Sequence, residues 1–129
     1  MAVLPILRWP DPALSTPCPP VAEIDDTLRA LIRDMLDTMY DAPGRGLAAP
    51  QVGVLTRLFV MDVTWKDGTP TPRVMINPRI LWQSEEAGRG EEGCLSIPGV
   101  TACVKRPLEA KYLEAQAAPG AVMPAYAEN

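Results

Sequence analysis

Asp25-Asp26-Thr27-Leu28-Arg29-Ala30-Leu31-Ile32-Arg33-Asp34-Met35-Leu36-Asp37-Thr38-Met39-Tyr40 decides how the rest of the chain is read. Leu28, Leu31, Ile32, Met35, Leu36, Met39 and Tyr40 recur every three or four residues, which gathers them on one stripe of an amphipathic helix. Pro43 and Gly44 then stop it, because proline lacks an amide hydrogen and glycine favours a turn. The Met and Leu stripe predicts a face packed on a core. Upstream, Pro5, Pro10, Pro12, Pro17, Pro19 and Pro20 rule out regular helix, so the N-terminus is predicted to be an ordered, extended arm.

Downstream, the signals change to strands. Residues 57–63 and 73–76 are apolar, β-branched runs, and Lys66, Asp67 and Gly68 between them suit a hairpin connection. Further strands are expected at 80–83, 101–105 and 109–113. Residues 85–92, with Gly88 and Gly90 among acidic neighbours, have no hydrophobic period and predict a loop leading to Cys94. Residues 117–129 lack a usable period and contain two more prolines, which predicts a frayed tail. The expected fold class is α+β: an N-terminal arm and one amphipathic helix packed on a mostly antiparallel sheet, in a single domain over residues 1–116. One helix of about 15 residues covers only part of such a sheet.

Composition narrows the function. The 129 residues are 47% hydrophobic and 22% charged, which suits one core rather than two. A net charge of -4 argues against a nucleic-acid partner, which would require clustered Lys and Arg. Residues 52–63 are interrupted by Thr56, Arg57 and Asp62 and fall short of the roughly 18 apolar residues of a membrane span, so no membrane partner is expected. The first seven residues hold no basic residue, unlike a secretion signal, and a cytoplasmic address is the expectation. Cys18, Cys94 and Cys103 are odd in number and without C-x-x-C spacing, which reads as free thiols in a reducing compartment. Histidine, the commonest metal ligand and proton shuttle, is absent.

Two segments carry candidate chemistry. The first is Gly44-Arg45-Gly46-Leu47-Ala48-Ala49-Pro50-Gln51. It follows a helix, whereas a dinucleotide fingerprint follows a strand and opens a helix. Two closely spaced glycines suit a backbone that a ligand approaches closely, with the Gln51 amide beside it. Alone, the segment would be no more than a glycine-rich turn. The second is Glu91-Glu92-Gly93-Cys94-Leu95-Ser96-Ile97-Pro98, where a cysteine after glycine in a loop can serve as thiolate ligand or nucleophile. A buried structural thiol is the competing reading of any cysteine, and it is the one adopted for Cys18 and for Cys103, which alternates with Ala102 and Val104 in a strand.

Together, in this order and at this separation, the two segments resemble the first two signature motifs of the peptide deformylase family. Ile6-Leu7-Arg8-Trp9-Pro10-Asp11-Pro12 with Leu14, and Met75-Ile76-Asn77-Pro78, are similar to further segments of that family, and the resemblance covers residues 6–116. Arg45 stands where the family usually has an apolar residue. The resemblance implies a metal-dependent hydrolase that removes the formyl group from the N-terminal formyl-methionine of formylated nascent peptides. It also implies Cys94 as a ligand of a divalent metal (iron, zinc or nickel), and Gln51 with the backbone N–H of Leu95 as stabilisers of the oxyanion. Gly44 and Gly46 are implied to bind substrate, the Gly46 backbone aligning the methionine.

The family's two other ligands are histidines of an H-E-x-x-H helix, whose Glu moves the proton. This sequence holds neither histidine, so the expectation is a truncated relative without that metal-binding helix, without a stably bound metal and inactive alone. Two alternatives stand beside it: an enzyme completed by a separate chain that carries the helix, and a non-catalytic module that binds N-terminal methionine peptides. Glu91 and Glu92 read as solvated residues rather than substitute ligands. Without that helix, uncovered sheet would favour self-association.

Overall fold

The computed structural model describes residues 2–107 and 110–113. The helix α1 runs over Asp26–Asp41. The Asp25 carboxylate caps its first turn by accepting from the Leu28 N–H at 2.9 Å, which satisfies one of the amides a helix start leaves unpaired. Leu28, Ile32, Met35, Leu36 and Met39 are buried, as their spacing predicts. Beyond the helix the Gly44 N–H returns to the Met39 carbonyl at 2.8 Å, turning the chain into the next element.

That element is a short strand, β1 (Gly46–Ala48), which begins a three-stranded antiparallel sheet with β2 (Leu58–Met61) and β3 (Arg73–Ile76), in the order β1-β2-β3. Leu58 and Val60 alternate inward and meet Val74 and Ile76 under the helix, in one core with Leu47, Ile32, Met35 and Met39. Each such side chain taken out of water contributes roughly 1.5–3 kcal/mol. Between β2 and β3 the chain makes a 3-10 turn over Trp65–Asp67, closed by Gly68 at a φ of 95°, so the hairpin connection read from Lys66, Asp67 and Gly68 is present.

Two further strand pairs follow, β4 (Arg79–Gln83) with β7 (Ala110–Leu113) and β5 (Ala87–Cys94) with β6 (Ile97–Pro107), both antiparallel. The α+β class holds, with the antiparallel strands divided into three small sheets. The pairing of β5 corrects the expectation of a loop over 85–92. Nearly every residue of this hairpin is exposed or half-buried, so neither face imposes the apolar alternation by which a strand is recognised in sequence. Its register is carried by the backbone ladder and by ion pairing: Arg106 forks onto Glu92 with contacts of 3.0 and 2.8 Å. Cys94 therefore ends a strand and does not sit in a long loop. Cys103, expected to be a buried packing thiol, is exposed on β6 for the same reason, and Cys18 is half-buried.

The proline-rich arm is ordered and mostly extended, with one 3-10 turn over Pro12–Ser15 that the proline count did not foresee. It is stitched to the body by hydrogen bonds. Leu4 N–H donates to the Thr38 hydroxyl at 2.8 Å, and the Asn77 side chain bonds both backbone groups of Val21, at 2.7 and 2.9 Å. Asn77 takes a φ of 50°, a left-handed conformation that asparagine tolerates better than most residues. No helix among the described residues is long and apolar enough to cross a membrane. The predicted tail over 117–129 lies outside the described residues, as does Glu109.

Candidate functional site

The two sequence segments meet. A 3-10 turn over Ala49–Val52 directly after β1 swings Gln51 back along the strand, and its Oε1 accepts from the Ala48 N–H at 3.0 Å. With the oxygen so held, the amide nitrogen must point the other way, toward the turn of the β5–β6 hairpin. There it donates to the Ser96 hydroxyl at 3.1 Å and faces the Cys94 sulfur at 3.7 Å. Ser96 is buried and Cys94 exposed. The Leu95 N–H, at the tip of the turn between them, has no hydrogen-bond partner among the described residues.

The N-terminal arm clamps both segments from outside. Leu7 N–H donates to the Gln51 carbonyl at 2.7 Å, and Trp9 N–H to the Ser96 carbonyl at 2.9 Å. The arm thus fixes the distance between Gln51 and the Cys94 turn. Ser96 lies in the second segment, where its sequence position alone assigns it no role. The available signal was a hydroxyl two residues beyond the cysteine of the same motif.

The two glycines differ in what they do. A β-carbon on Gly44 would lie 2.7 Å from Leu95 Cδ1 and 3.3 Å from its Cγ, so Gly44 is the floor on which the Leu95 side chain rests. Gly46 is open. Asp62 N–H donates to the Arg45 carbonyl at 3.0 Å, which makes Arg45 and Asp62 a hydrogen-bonded pair in line with the β1–β2 register. Antiparallel ladders alternate, so Gly46 is the non-bonded position and turns its own N–H and C=O to the free edge of β1. Gly44, Arg45, Gly46, Gln51, Cys94 and Leu95 all border one cleft of about 1110 Å³.

Beneath the cleft lies a polar support that the sequence did not advertise. Asp62 is fully buried at the end of β2 and accepts from the Tyr40 hydroxyl at 2.6 Å and from the Thr71 N–H at 3.1 Å. Trp65, packed edge-on against Tyr40 with ring centroids 5.2 Å apart, donates its indole N–H to the Gly44 carbonyl at 2.8 Å. Tyr40, Asp62 and Trp65 together hold Gly44 and Arg45 in place. Burial by itself would raise the Asp62 pKa, but the Tyr40 hydroxyl and the N–H groups of Thr71, Thr64 and Trp65 more than offset it and hold the carboxyl below its ordinary value. Tyr40 is pushed far up, first by burial and then by its bond to the Asp62 charge.

A depressed carboxyl pKa stabilises the fold fully above the unfolded value, near 4, and loses that contribution as pH falls through the folded value. A raised tyrosine pKa stabilises the fold below about 10 and loses its contribution as pH rises further. Melting temperature should therefore decline on both the acid and the alkaline side, and Tyr40→Phe should flatten the alkaline decline in circular dichroism melts. An alkaline limb unchanged by that substitution would show that the Tyr40–Asp62 bond is not its source.

The sequence model of the polypeptide deformylase family matches residues 3–118. The chain belongs to the peptide deformylase family. It is 51% identical over 107 residues to the peptide deformylase of Cellvibrio japonicus, covering 83% of this chain and 62% of that relative. With the Phenylobacterium zucineum enzyme the identity is 49% over 118 residues, covering 90% and 70%. The chain thus spans less than two thirds of the Cellvibrio relative's length. Among solved structures, peptide deformylase from Ehrlichia chaffeensis in complex with actinonin superposes with a TM-score of 0.81 at 39% identity, covering 88% of this chain and 70% of that one. The Thermotoga maritima enzyme gives 0.79 at 41% identity, covering 85% and 71%.

Peptide deformylases are metal enzymes. A catalytic centre of this type needs about three protein ligands around the ion. This family member brings one cysteine sulfur, Cys94, near the Gln51 amide and the Ser96 hydroxyl that amide bonds, and its sequence has no histidine. No group of three His, Cys, Asp or Glu side chains suited to a metal ion occurs among the described residues. Glu92 is committed to Arg106, whose hydrogen bond lowers its pKa. The described residues do not fit the ligand set of a deformylase metal centre.

Proposed function

We propose that this chain forms the substrate wall of a deformylase site: it binds peptides that begin with formyl-methionine and does not hydrolyse them with its own residues alone. The observation that carries this reading is the fixed Gln51 amide, held by Ala48 and Ser96 beside the Cys94 sulfur, in the same cleft as the free peptide edge of Gly46. An extended peptide can add to that edge and exchange backbone hydrogen bonds with Gly46, as peptides add to open sheet edges elsewhere. A formyl oxygen placed against the hairpin turn would meet two donors, the Gln51 amide and the Leu95 N–H. Both groups are held before any ligand arrives, so little reorganisation accompanies binding, and both would favour oxygen more strongly as it gains negative charge.

Water activation is a separate requirement, and the donor set around Cys94 does not meet it. The roles of Gln51, Leu95, Gly44 and Gly46 are accordingly those of a binding and oxyanion-facing surface. The test is calorimetric binding of a formyl-Met tripeptide, run beside formate release and metal analysis with ferrous iron supplied in the absence of oxygen. Saturable binding that Gln51→Ala weakens, without formate and without stoichiometric metal, is the expected result. Formate release with bound metal would overturn the claim about hydrolysis. Absence of any peptide binding would overturn the substrate wall itself.

A further inference from the structure

We infer that this cleft selects peptides whose one or two residues after the terminal methionine carry carboxylates, with Arg45 as the specificity-determining residue. This deepens the substrate-wall reading and rests on it. Arg45 is exposed, lies immediately before Gly46 and borders the cleft. A peptide that pairs with the Gly46 edge therefore passes the residue that carries this guanidinium.

The availability of that charge follows from the Asp62 network. Asp62 is the acid directly across the ladder from Arg45, where an opposite charge would normally pair with it. Its carboxylate is instead turned into the protein, with its oxygens taken by Tyr40, Thr71 and Thr64. Among the described residues no ion pair forms on Arg45, Arg8 or Lys66. All three border the cleft, against a single acid, Asp41. Lys66 is further steadied by Trp65, with its Nζ 5.6 Å from the ring centroid. The cleft is thus locally positive on a chain whose net charge is -4. Such local charge discriminates among ligands by attraction to one sign and repulsion of the other.

The experiment uses the whole chain and three fluorescein-labelled peptides, formyl-Met-Glu-Glu-Ala, formyl-Met-Ala-Ala-Ala and formyl-Met-Lys-Lys-Ala, read by anisotropy at low and high salt. One exposed ion pair changes affinity up to about fivefold, so two positions changed from attraction to repulsion should separate the acidic from the basic peptide by about tenfold at low salt. The gap should shrink at high salt as screening sets in. The quantity read is the acidic-to-basic affinity ratio within each variant. Arg45→Gln should reduce that ratio and Arg45→Glu should invert it, and the glutamine variant keeps the test valid if charge reversal perturbs the fold. Equal affinity for all three peptides, or a ratio unchanged in both variants, overturns the selectivity and leaves the substrate wall standing. Failure of every peptide to bind overturns both.

Discussion

Asp62→Ala is expected to be the most damaging single substitution outside the apolar core, lowering stability by roughly 3–5 kcal/mol, because each buried donor left without an acceptor costs roughly 1–3 kcal/mol. The orphaned donors would be the Tyr40 hydroxyl and the N–H groups of Thr71 and Thr64. Asp62→Asn keeps one carbonyl acceptor and should cost less. The loss should appear in urea titrations as a lower midpoint with the slope preserved. A midpoint shift worth under about 1 kcal/mol would mean that water replaces the carboxylate without difficulty and that the network is not a structural support. The same substitution should loosen the Gly44 and Arg45 segment, since Tyr40 braces Trp65 and Trp65 holds the Gly44 carbonyl.

Gly44→Ala separates binding from stability. Its new β-carbon would overlap Leu95 Cδ1 at 2.7 Å, and the Leu95 side chain has a partly open cleft into which it can swing. The fold should then lose little, while Leu95 moves into the space a peptide would occupy. Formyl-Met peptide affinity is expected to fall at least tenfold, about 1.4 kcal/mol. Shortening the obstructing side chain in Gly44→Ala/Leu95→Ala should recover part of it, a coupling that independent effects would not produce. Undiminished affinity in Gly44→Ala would remove Leu95 from the cleft wall, and a large drop in melting temperature would make Gly44 a folding residue instead.

Legibility in the sequence tracked burial. The helix α1 was read correctly because one face is buried, and burial imposes the three-and-four spacing of Leu28, Ile32, Met35 and Met39. Strands β2 and β3 were read for the same reason. The β5 strand was not, because its hairpin is exposed on both sides and no pattern records its pairing with β6. The three-residue β1 was hidden inside a glycine-rich stretch too short to show any period. A strand position alternating with Ala102 and Val104 suggests an inner face for Cys103, and this exposed hairpin provides none.

Local sequence by itself determined the helix, the strands with a buried face, the family through its two short motifs, and a composition without histidine. These are properties of residue identity and near-neighbour spacing. Only the tertiary structure decided that Gln51 is locked between Ala48 and Ser96, that Gly44 carries Leu95, and that Arg45 is left without the acid opposite it. Each of these depends on where a side chain points after residues more than forty positions apart, or on different strands, have been brought into contact. Asp62 is the clearest case: in sequence it is one acid among sixteen, and only the donors that the fold turns toward it make it a buried support.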